Sequence, residues 1–167
     1  MPALIRRATG QDLPEILALL DLYYNEWDIW QRDSSTTIRN LLRHPGLGFF
    51  LAEVDNLPAG CVLCRPLPHI ENAAECKRLY VAPGFRGHHL ADLLMQELES
   101  AAKREGKHWV YLDSKPEFST AIALYRRRGY VDTPRYNDNA QATVFLRKNL
   151  IARTIHAPTS SQLHPHE

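Results

Sequence analysis

Between Arg78 and Leu94 the chain reads R-L-Y-V-A-P-G-F-R-G-H-H-L-A-D-L-L: an apolar strand pattern, a Pro/Gly turn, a short cationic loop and the opening of a helix. A connection in this order is either an anion seat or an ordinary strand-to-helix joint. The free N–H groups of a helix start carry partial positive charge and suit a phosphate. Gly87 permits close backbone approach, and Arg86, His88 and His89 add cationic or titratable side chains at the same point. Leu90, Leu93, Leu94, Leu98, Ala101 and Ala102 then recur at helical steps and predict a buried face running to about Glu105. The loop is pinned between two core elements.

The remaining periodicities extend this unit in both directions. Leu4 to Ala8 reads as a strand. A helix opens at about Thr9 or Gly10, with Pro14 tolerated in its first turn and Leu13, Ile16, Leu17, Leu20, Tyr24 and Trp27 on one face. Ser34 and Ser35 offer caps for a short helix bearing Ile38, Leu41 and Leu42. Phe49 to Val54 and Ala59 to Cys64 form a hairpin across Asp55-Asn56, and Arg65 to Ala74 is a loop before a central strand from Glu75 to Val81. His108 to Asp113 is the next strand, Phe118 to Arg128 a helix stopped by Gly129, Tyr130-Val131 the start of another strand, and Thr143 to Leu146 the closing one. Hairpins at the ends and alternation in the middle predict an α/β fold: a mixed α+β sheet with helices on both faces. A chain of 167 residues buries one core, so residues 1–150 are expected to form one domain, with 151–167 as a tail.

Charge and cysteine usage narrow the function classes. A formal net charge of +1 and 23% charged residues give no global attraction to nucleic acid or membrane. No 20-residue apolar run or apolar leader segment is present, which predicts a cytoplasmic protein. Three cysteines do not make a disulfide framework. Cys61 and Cys64, three apart on a strand, point to opposite faces, and the eight histidines are scattered, so no metal is expected.

Arg86-x-x-x-x-Ala91 resembles the acyl-CoA-binding signature of the GNAT superfamily of N-acetyltransferases, Gln/Arg-x-x-Gly-x-Gly/Ala at a helix start after a strand. His89 stands where the signature has its central Gly. The strand before this loop, the strand Trp109 to Asp113, the segment A-I-A-L-Y-R-R-R-G-Y from Ala121 to Tyr130 and the closing strand follow the family's order over roughly residues 4 to 150. A small bacterial-type, single-domain branch is more similar still, through K-R-L-Y-V at Lys77 to Val81, L-D-S-K-P at Leu112 to Pro116 and the loop Tyr136-Asn137-Asp138-Asn139. The resemblance implies a GNAT-like fold with splayed central strands and acetyl-CoA as co-substrate. The expected cofactor-binding residues are Leu79, Tyr80, Val81, Arg86, Gly87, His88, His89, Leu90, Ala91 and Tyr125, with backbone groups of Leu79 and Val81 holding the pantetheine arm.

Acetyl transfer from a thioester needs a neutral amine, a polarised carbonyl and a proton for the departing thiolate. Presenting an alkylamine of pKa about 10.4 as its free base at pH 7 costs about 4 to 5 kcal/mol. Glu75, eleven residues before Arg86, matches the general-base glutamate of the histone-acetylating branch, directly or through water; the other reading is a strand-end carboxylate paired with Lys77 or Arg78. Tyr125, in L-Y-x-x-x-G-Y, matches the family tyrosine beside the CoA sulfur and is the expected acid; as an ordinary residue it is a core aromatic. Phe118 replaces the Asn common seven residues before that Tyr. Tyr24, Trp27, Trp30, Asn137 and Asp138 are the expected acceptor-binding residues, with Tyr23 beside the aromatics and Asn139 as the alternative to Asn137, set against plain core aromatics and a turn. Arg126, Arg127 and Arg128, with Arg147 and Lys148, either attract the adenosine 3′-phosphate or form a solvated face.

These readings converge on an N-acetyltransferase acting on a small-molecule amine or a protein amine, with neither nucleic acid nor membrane as partner and with room for a homodimer. His89 and Phe118 motivate the alternative, a non-catalytic CoA-binding or regulatory module.

Overall fold

The computed structural model describes residues 2–151, so the expected tail lies outside the described residues from position 152 onward. Strands β1 (Ala3–Arg7), β2 (Gly48–Val54), β3 (Leu57–Pro66), β4 (Ala73–Val81), β5 (Trp109–Ser114), β6 (Val131–Asp132) and β7 (Val144–Asn149) form one sheet in the order β1-β2-β3-β4-β5-β7-β6. Only β4 and β5 run parallel; the other neighbours are antiparallel. Helices α1 (Leu13–Trp27) and α2 (Ser35–Leu42) cover one face, and α3 (Leu90–Arg104) and α4 (Ser119–Arg127) cover the other.

The strand period of two divides the core. Cys61 and Leu63 pack with α1 and α2, while Val62 and Cys64 pack with α3. Both cysteines are fully buried on opposite faces, and burial pushes each thiol up to about 12, so they act as small apolar fillers.

Local chemistry sets the element ends. The Thr9 N–H donates to Asp12 Oδ2 at 2.7 Å in a capping box, and the Arg6 guanidinium grips Asp12 and Glu53, tying the α1 entrance to β1 and β2. Ser34 Oγ accepts the Thr37 N–H at the start of α2. Asp55 and Asn56, both at positive φ, close the two-residue β2–β3 turn. β3 and β4 run further into the Pro-containing segment than the sequence pattern predicts: the Leu67 N–H bonds the Ala73 carbonyl at 3.3 Å, shrinking the loop to residues 67–72. β7 likewise reaches Asn149 because it pairs along the whole of β5.

One irregularity in β4 positions the site. Between the pairs Leu63–Lys77 and Cys61–Tyr80, three steps on β4 face two on β3. The extra residue is a bulge at Arg78, whose φ is 60°. A non-glycine residue there is held by side-chain contacts: Arg78 Nε donates to Asp33 Oδ2 at 3.2 Å, its terminal nitrogen donates to the Gln31 carbonyl at 3.0 Å, and the guanidinium lies 5.2 Å from the Tyr24 ring centroid. β4 pairs with β5 only through Cys76, then diverges. Ala82 N–H donates across to Ala59 while Val81 sits opposite Gly60, so Val81 N–H and C=O turn away from β3 toward the opening; by the pleat, those of Leu79 do too.

Candidate active site

Two cavities meet where β4 leaves β5. The first, about 460 Å³, runs from the end of β4 to the start of α3 along Leu79, Val81, Arg86, Gly87, His89 and Ala91. Amides 87–92 have no backbone acceptor among the described residues, the last three being the first-turn donors of α3. His89 caps α3 from the left-handed region with no side-chain cap bond. The backbone shape that a glycine would adopt freely is therefore kept by a histidine, at a cost of about 1–2 kcal/mol. Arg86 lies across the cavity mouth. Its Nε donates to the Val81 carbonyl at 2.9 Å and a terminal nitrogen reaches Glu26 at 2.6 and 2.9 Å.

The second cavity, about 530 Å³, lies beneath the α1–α2 connection and includes Tyr23, Trp30, Lys77, Arg78, Asp113 and Tyr125 in its wall. Leu79, Phe118 and Ala121 line both cavities, so the two abut. Phe118 packs its ring 4.6 Å from Trp27 and 6.4 Å from Tyr23, near parallel to the latter. Tyr125, on α4, is buried and its ring meets Tyr130 edge-on at 5.8 Å. Its hydroxyl has no hydrogen-bond partner among the described residues, yet no sealed side-chain polar atom is left unpaired there, so the hydroxyl opens on the cavity. Burial, then the nearby Cys76 thiol, push this phenol well above its ordinary value.

A polar network backs the second cavity. Lys77 Nζ donates to Asp113 Oδ2 at 2.6 Å, which also accepts from Asn137 at 2.6 Å and Asn139 at 3.2 Å. Burial alone would raise Asp113, but the Lys77 ammonium and these donors outweigh it and hold the carboxyl below its usual range. Behind it, Glu75 accepts from Tyr136 at 2.7 Å, Asn137 at 3.2 Å and Arg65 at 2.8 Å. Burial and then the Glu75 charge push the Tyr136 phenol far up.

The profile of the Acetyltransferase (GNAT) family matches residues 13–130, which takes in α1, the β4 bulge, the loop into α3 and α4. The chain belongs to the GNAT acetyltransferase family. It is 31% identical over 137 residues to an uncharacterised N-acetyltransferase of Methanocaldococcus jannaschii, covering 75% of this chain and 59% of that relative. The chain thus spans somewhat over half of that relative's length. A GNAT-family acetyltransferase from Staphylococcus aureus superposes with a TM-score of 0.77 at 19% identity, over 89% of this chain and 99% of that one. The PaiA N-acetyltransferase of Thermoplasma acidophilum, solved in complex with coenzyme A, gives 0.73 at 18% identity over the same shares. At these identities the two structures speak to the GNAT fold.

The cavities sort the residues expected from the GNAT resemblance. Leu79, Tyr80, Val81, Arg86, Gly87, His89, Leu90 and Ala91 line the first cavity; His88 does not, and Tyr125 lines the second. Glu75 is set back from both cavities, with Lys77 Nζ 3.7 Å from its Oε2. Its residue is 1% exposed and it lines neither cavity, because Arg65 beside it on β3 and Tyr136 and Asn137 above it enclose the carboxylate. Of the expected acceptor residues Tyr23, Trp30 and Asn139 line the second cavity. Tyr24 is buried against Asp33 and Arg78, Trp27 faces the first cavity, Asn137 is turned into the Glu75–Asp113 network, and Asp138 is exposed. The basic run is mostly spent elsewhere: Arg126 on Asp132, Arg128 and Lys148 on Glu99, Arg147 over the Trp109 ring, leaving Arg127 at the first cavity. Lys77, Arg78, Asp113 and Lys115, with Arg32, Asp33 and Arg65, are among the wall residues that sequence reasoning missed. The signal available was the K-R-L-Y-V and L-D-S-K-P segments, which carry the first four.

Among the described residues no helix is long and apolar enough to cross a membrane, and no cluster of three His, Cys, Asp or Glu side chains is placed to hold a metal.

Proposed function

We propose that the protein is an acetyl-CoA-dependent N-acetyltransferase that acetylates a primary amine, with Tyr125 as the acid for the departing thiolate. The observation that carries this reading is the unpartnered Tyr125 hydroxyl in the second cavity, one helical turn from Ala121 in the wall shared with the first, where one cavity has free amides and the other a polar wall. GNAT membership and the coenzyme A bound by the Thermoplasma neighbour support it.

The residues fit acetyl-CoA as substrate. The amides of Gly87 to Asp92 and the α3 dipole suit a pyrophosphate, and Arg86 is poised at the same place to exchange Glu26 for a phosphate oxygen. The cleft-facing N–H groups of Leu79 and Val81 and the Leu79 carbonyl suit an amide-bearing arm, the Val81 carbonyl being held by Arg86 Nε. With the phosphates at α3 and the arm along β4, the thioester reaches the shared boundary of the cavities. There the amine nitrogen bonds to the thioester carbon as the carbon–sulfur bond breaks, and the sulfur takes a proton from the side of Tyr125. A phenol held well above 10 is a better hydrogen-bond donor to a thiolate of parent pKa about 8.5 than an outright acid, so stabilising the forming thiolate comes first and net proton delivery follows as the amide nitrogen sheds its own proton.

Glu75, enclosed as it is, serves as a positioning residue that holds the loop carrying Asn137 and Asn139 over Asp113. The neutral amine is supplied by the cavity itself: a wall with an excess of cations disfavours the ammonium form of a bound amine. The regulatory-module reading is weaker, because His89 keeps the left-handed turn and Phe118 forms a wall between two open cavities instead of filling either.

The test is thiol release from acetyl-CoA by the purified protein across a panel of amines, with the product's mass confirming one added acetyl group. Amine-dependent release supports the transferase; tight acetyl-CoA binding with no release on any amine supports the module.

A further inference from the structure

Charge in the second cavity is unbalanced in a way that names its ligand. Five cationic side chains line it, Arg32, Arg65, Lys77, Arg78 and Lys115, against two carboxylates, Asp33 and Asp113. Three of the cations are matched: Lys77 by Asp113 at 2.6 Å, Arg78 by Asp33 at 3.2 Å, and Arg65 by Glu75 from behind the wall at 2.7 Å. Arg32 and Lys115 are not. Arg32 is held by neutral groups, the Ile29 carbonyl at 3.0 Å and Asn25 Oδ1 at 3.1 Å, with its guanidinium 5.5 Å from the Tyr24 ring centroid. Lys115 donates to the Trp27 carbonyl at 3.0 Å and lies 5.5 Å from the centre of the Phe118 ring. Neither makes an ion pair among the described residues.

The two free cations belong to one corner. Their carbonyl anchors, Trp27 and Ile29, are two residues apart where the chain leaves α1, a separation of at most about 7 Å between α-carbons. Each is positioned by hydrogen bonding and an aromatic face that cost no charge, Arg32 on the exposed side and Lys115 half-buried, which leaves a positive corner lining a cavity of small-molecule size. The shared wall at Leu79, Phe118 and Ala121 marks the side on which the reacting amine must arrive.

Resting on the transferase reading above, we infer that the acceptor is an amine that also carries a carboxylate, whose anionic end is held by Arg32 and Lys115, and that polycationic acceptors are excluded. A lysine-rich protein tail or a polyamine would bring further positive charge into a wall already in excess of it, whereas an acidic group neutralises that excess and tethers the amine at the junction. Phosphate-bearing amines share the anionic chemistry and form a separate arm of the test.

The experiment pairs amino acids with their own carboxamides as acceptors, beside phosphoethanolamine, spermidine and a lysine-rich peptide, reading kcat/KM by thiol release. The expected result is at least about tenfold preference for carboxylate over carboxamide, lost as salt is raised from low ionic strength. Arg32→Gln and Lys115→Gln should each raise KM for the carboxylate acceptor about tenfold and shrink the preference for carboxylate over carboxamide toward unity. A preference for phosphoethanolamine over every carboxylate overturns the carboxylate assignment; equal or better turnover of carboxamides, spermidine or the peptide overturns the anionic acceptor altogether while leaving the transferase intact. Absence of thiol release with every amine, despite acetyl-CoA binding, defeats the transferase reading and this inference with it. Calorimetric titration of the acetylated amino acid against its carboxamide gives a readout independent of turnover, and equal affinities there contradict the proposal.

Discussion

The Tyr136 hydroxyl donates to Glu75 Oε2 over 2.7 Å, fastening the loop after β6 onto the first part of β4. Asn137 shares the same oxygen and Arg65 takes the other, so the carboxylate holds two segments together. The contacts continue from Asn137 to Asp113 and Lys77 in the cavity wall.

Tyr136→Phe leaves that buried carboxylate one donor short. The expected loss of stability is about 1–3 kcal/mol, read from urea denaturation at neutral pH. Glu75→Gln should lower stability similarly while the acid limb of the kcat/KM profile keeps its position; a displaced acid limb would return Glu75 to the role of direct base.

Tyr125→Phe removes the unpartnered hydroxyl and little else from the second cavity. A fall in kcat of about 100-fold or more is expected, with acetyl-CoA affinity within about twofold of wild type. Because burial raises the Tyr125 phenol, its protonated form persists to higher pH, so the wild-type rate should show no Tyr125-dependent loss between about pH 7 and 9. Parallel kcat and calorimetric measurements on the pair of proteins check both points.

Gly60 faces Val81 across β3 and β4, and a Cβ there would stand 2.6 Å from the Tyr80 carbonyl oxygen. Gly60→Ala must push the strand that carries the Leu79 and Val81 groups. We expect about 1–3 kcal/mol of destabilisation and weaker acetyl-CoA binding together, measured by denaturation and calorimetry.

Arg6 hydrogen bonds, opposed by burial and helped by the Thr9 amide, hold the Asp12 carboxyl at about 2, below its usual 3.8. A depressed carboxyl stabilises the fold above its unfolded value and loses that contribution as pH falls toward 2. Because Arg6 is partly exposed, solvent screening limits the contribution to about 1 kcal/mol. Wild type should therefore lose about that much more stability than Asp12→Asn between pH 4.5 and about 2, a difference read from paired denaturation curves.

The element order is legible in the sequence because each element signals its own period and ends: the face of Leu90 to Ala102, the Thr9 cap, the Asp55-Asn56 turn, and Gly106 and Gly129 at positive φ behind α3 and α4. The opposite facing of Cys61 and Cys64 follows from strand geometry alone. The strand extensions at Pro66 and Asn149 are less visible, since pairing with a neighbour carries polar and Pro-containing ends that no local pattern marks.

The site is legible in part. The loop into α3 announces itself through Arg86, Gly87 and Ala91, and Tyr125 through its segment. The enclosure of Glu75 depends on Tyr136, 61 residues away, and on a loop with no periodicity to read. The Arg78 bulge is hidden for a different reason: the residue at positive φ is not glycine, and its stability comes from Asp33 and Tyr24 on separate elements. Phe118, at first a departure from the family pattern, becomes intelligible only as the wall shared by two cavities.

The central claim is that the two abutting cavities pass an acetyl group across Tyr125. The most direct measurement is single-turnover thiol release from protein preloaded with acetyl-CoA, on mixing with amine, for wild type and Tyr125→Phe. Rapid amine-dependent release by wild type, slowed about 100-fold in the variant at equal acetyl-CoA occupancy, is the predicted result. Equal rates in the two proteins, or no release from fully loaded wild type, would contradict it.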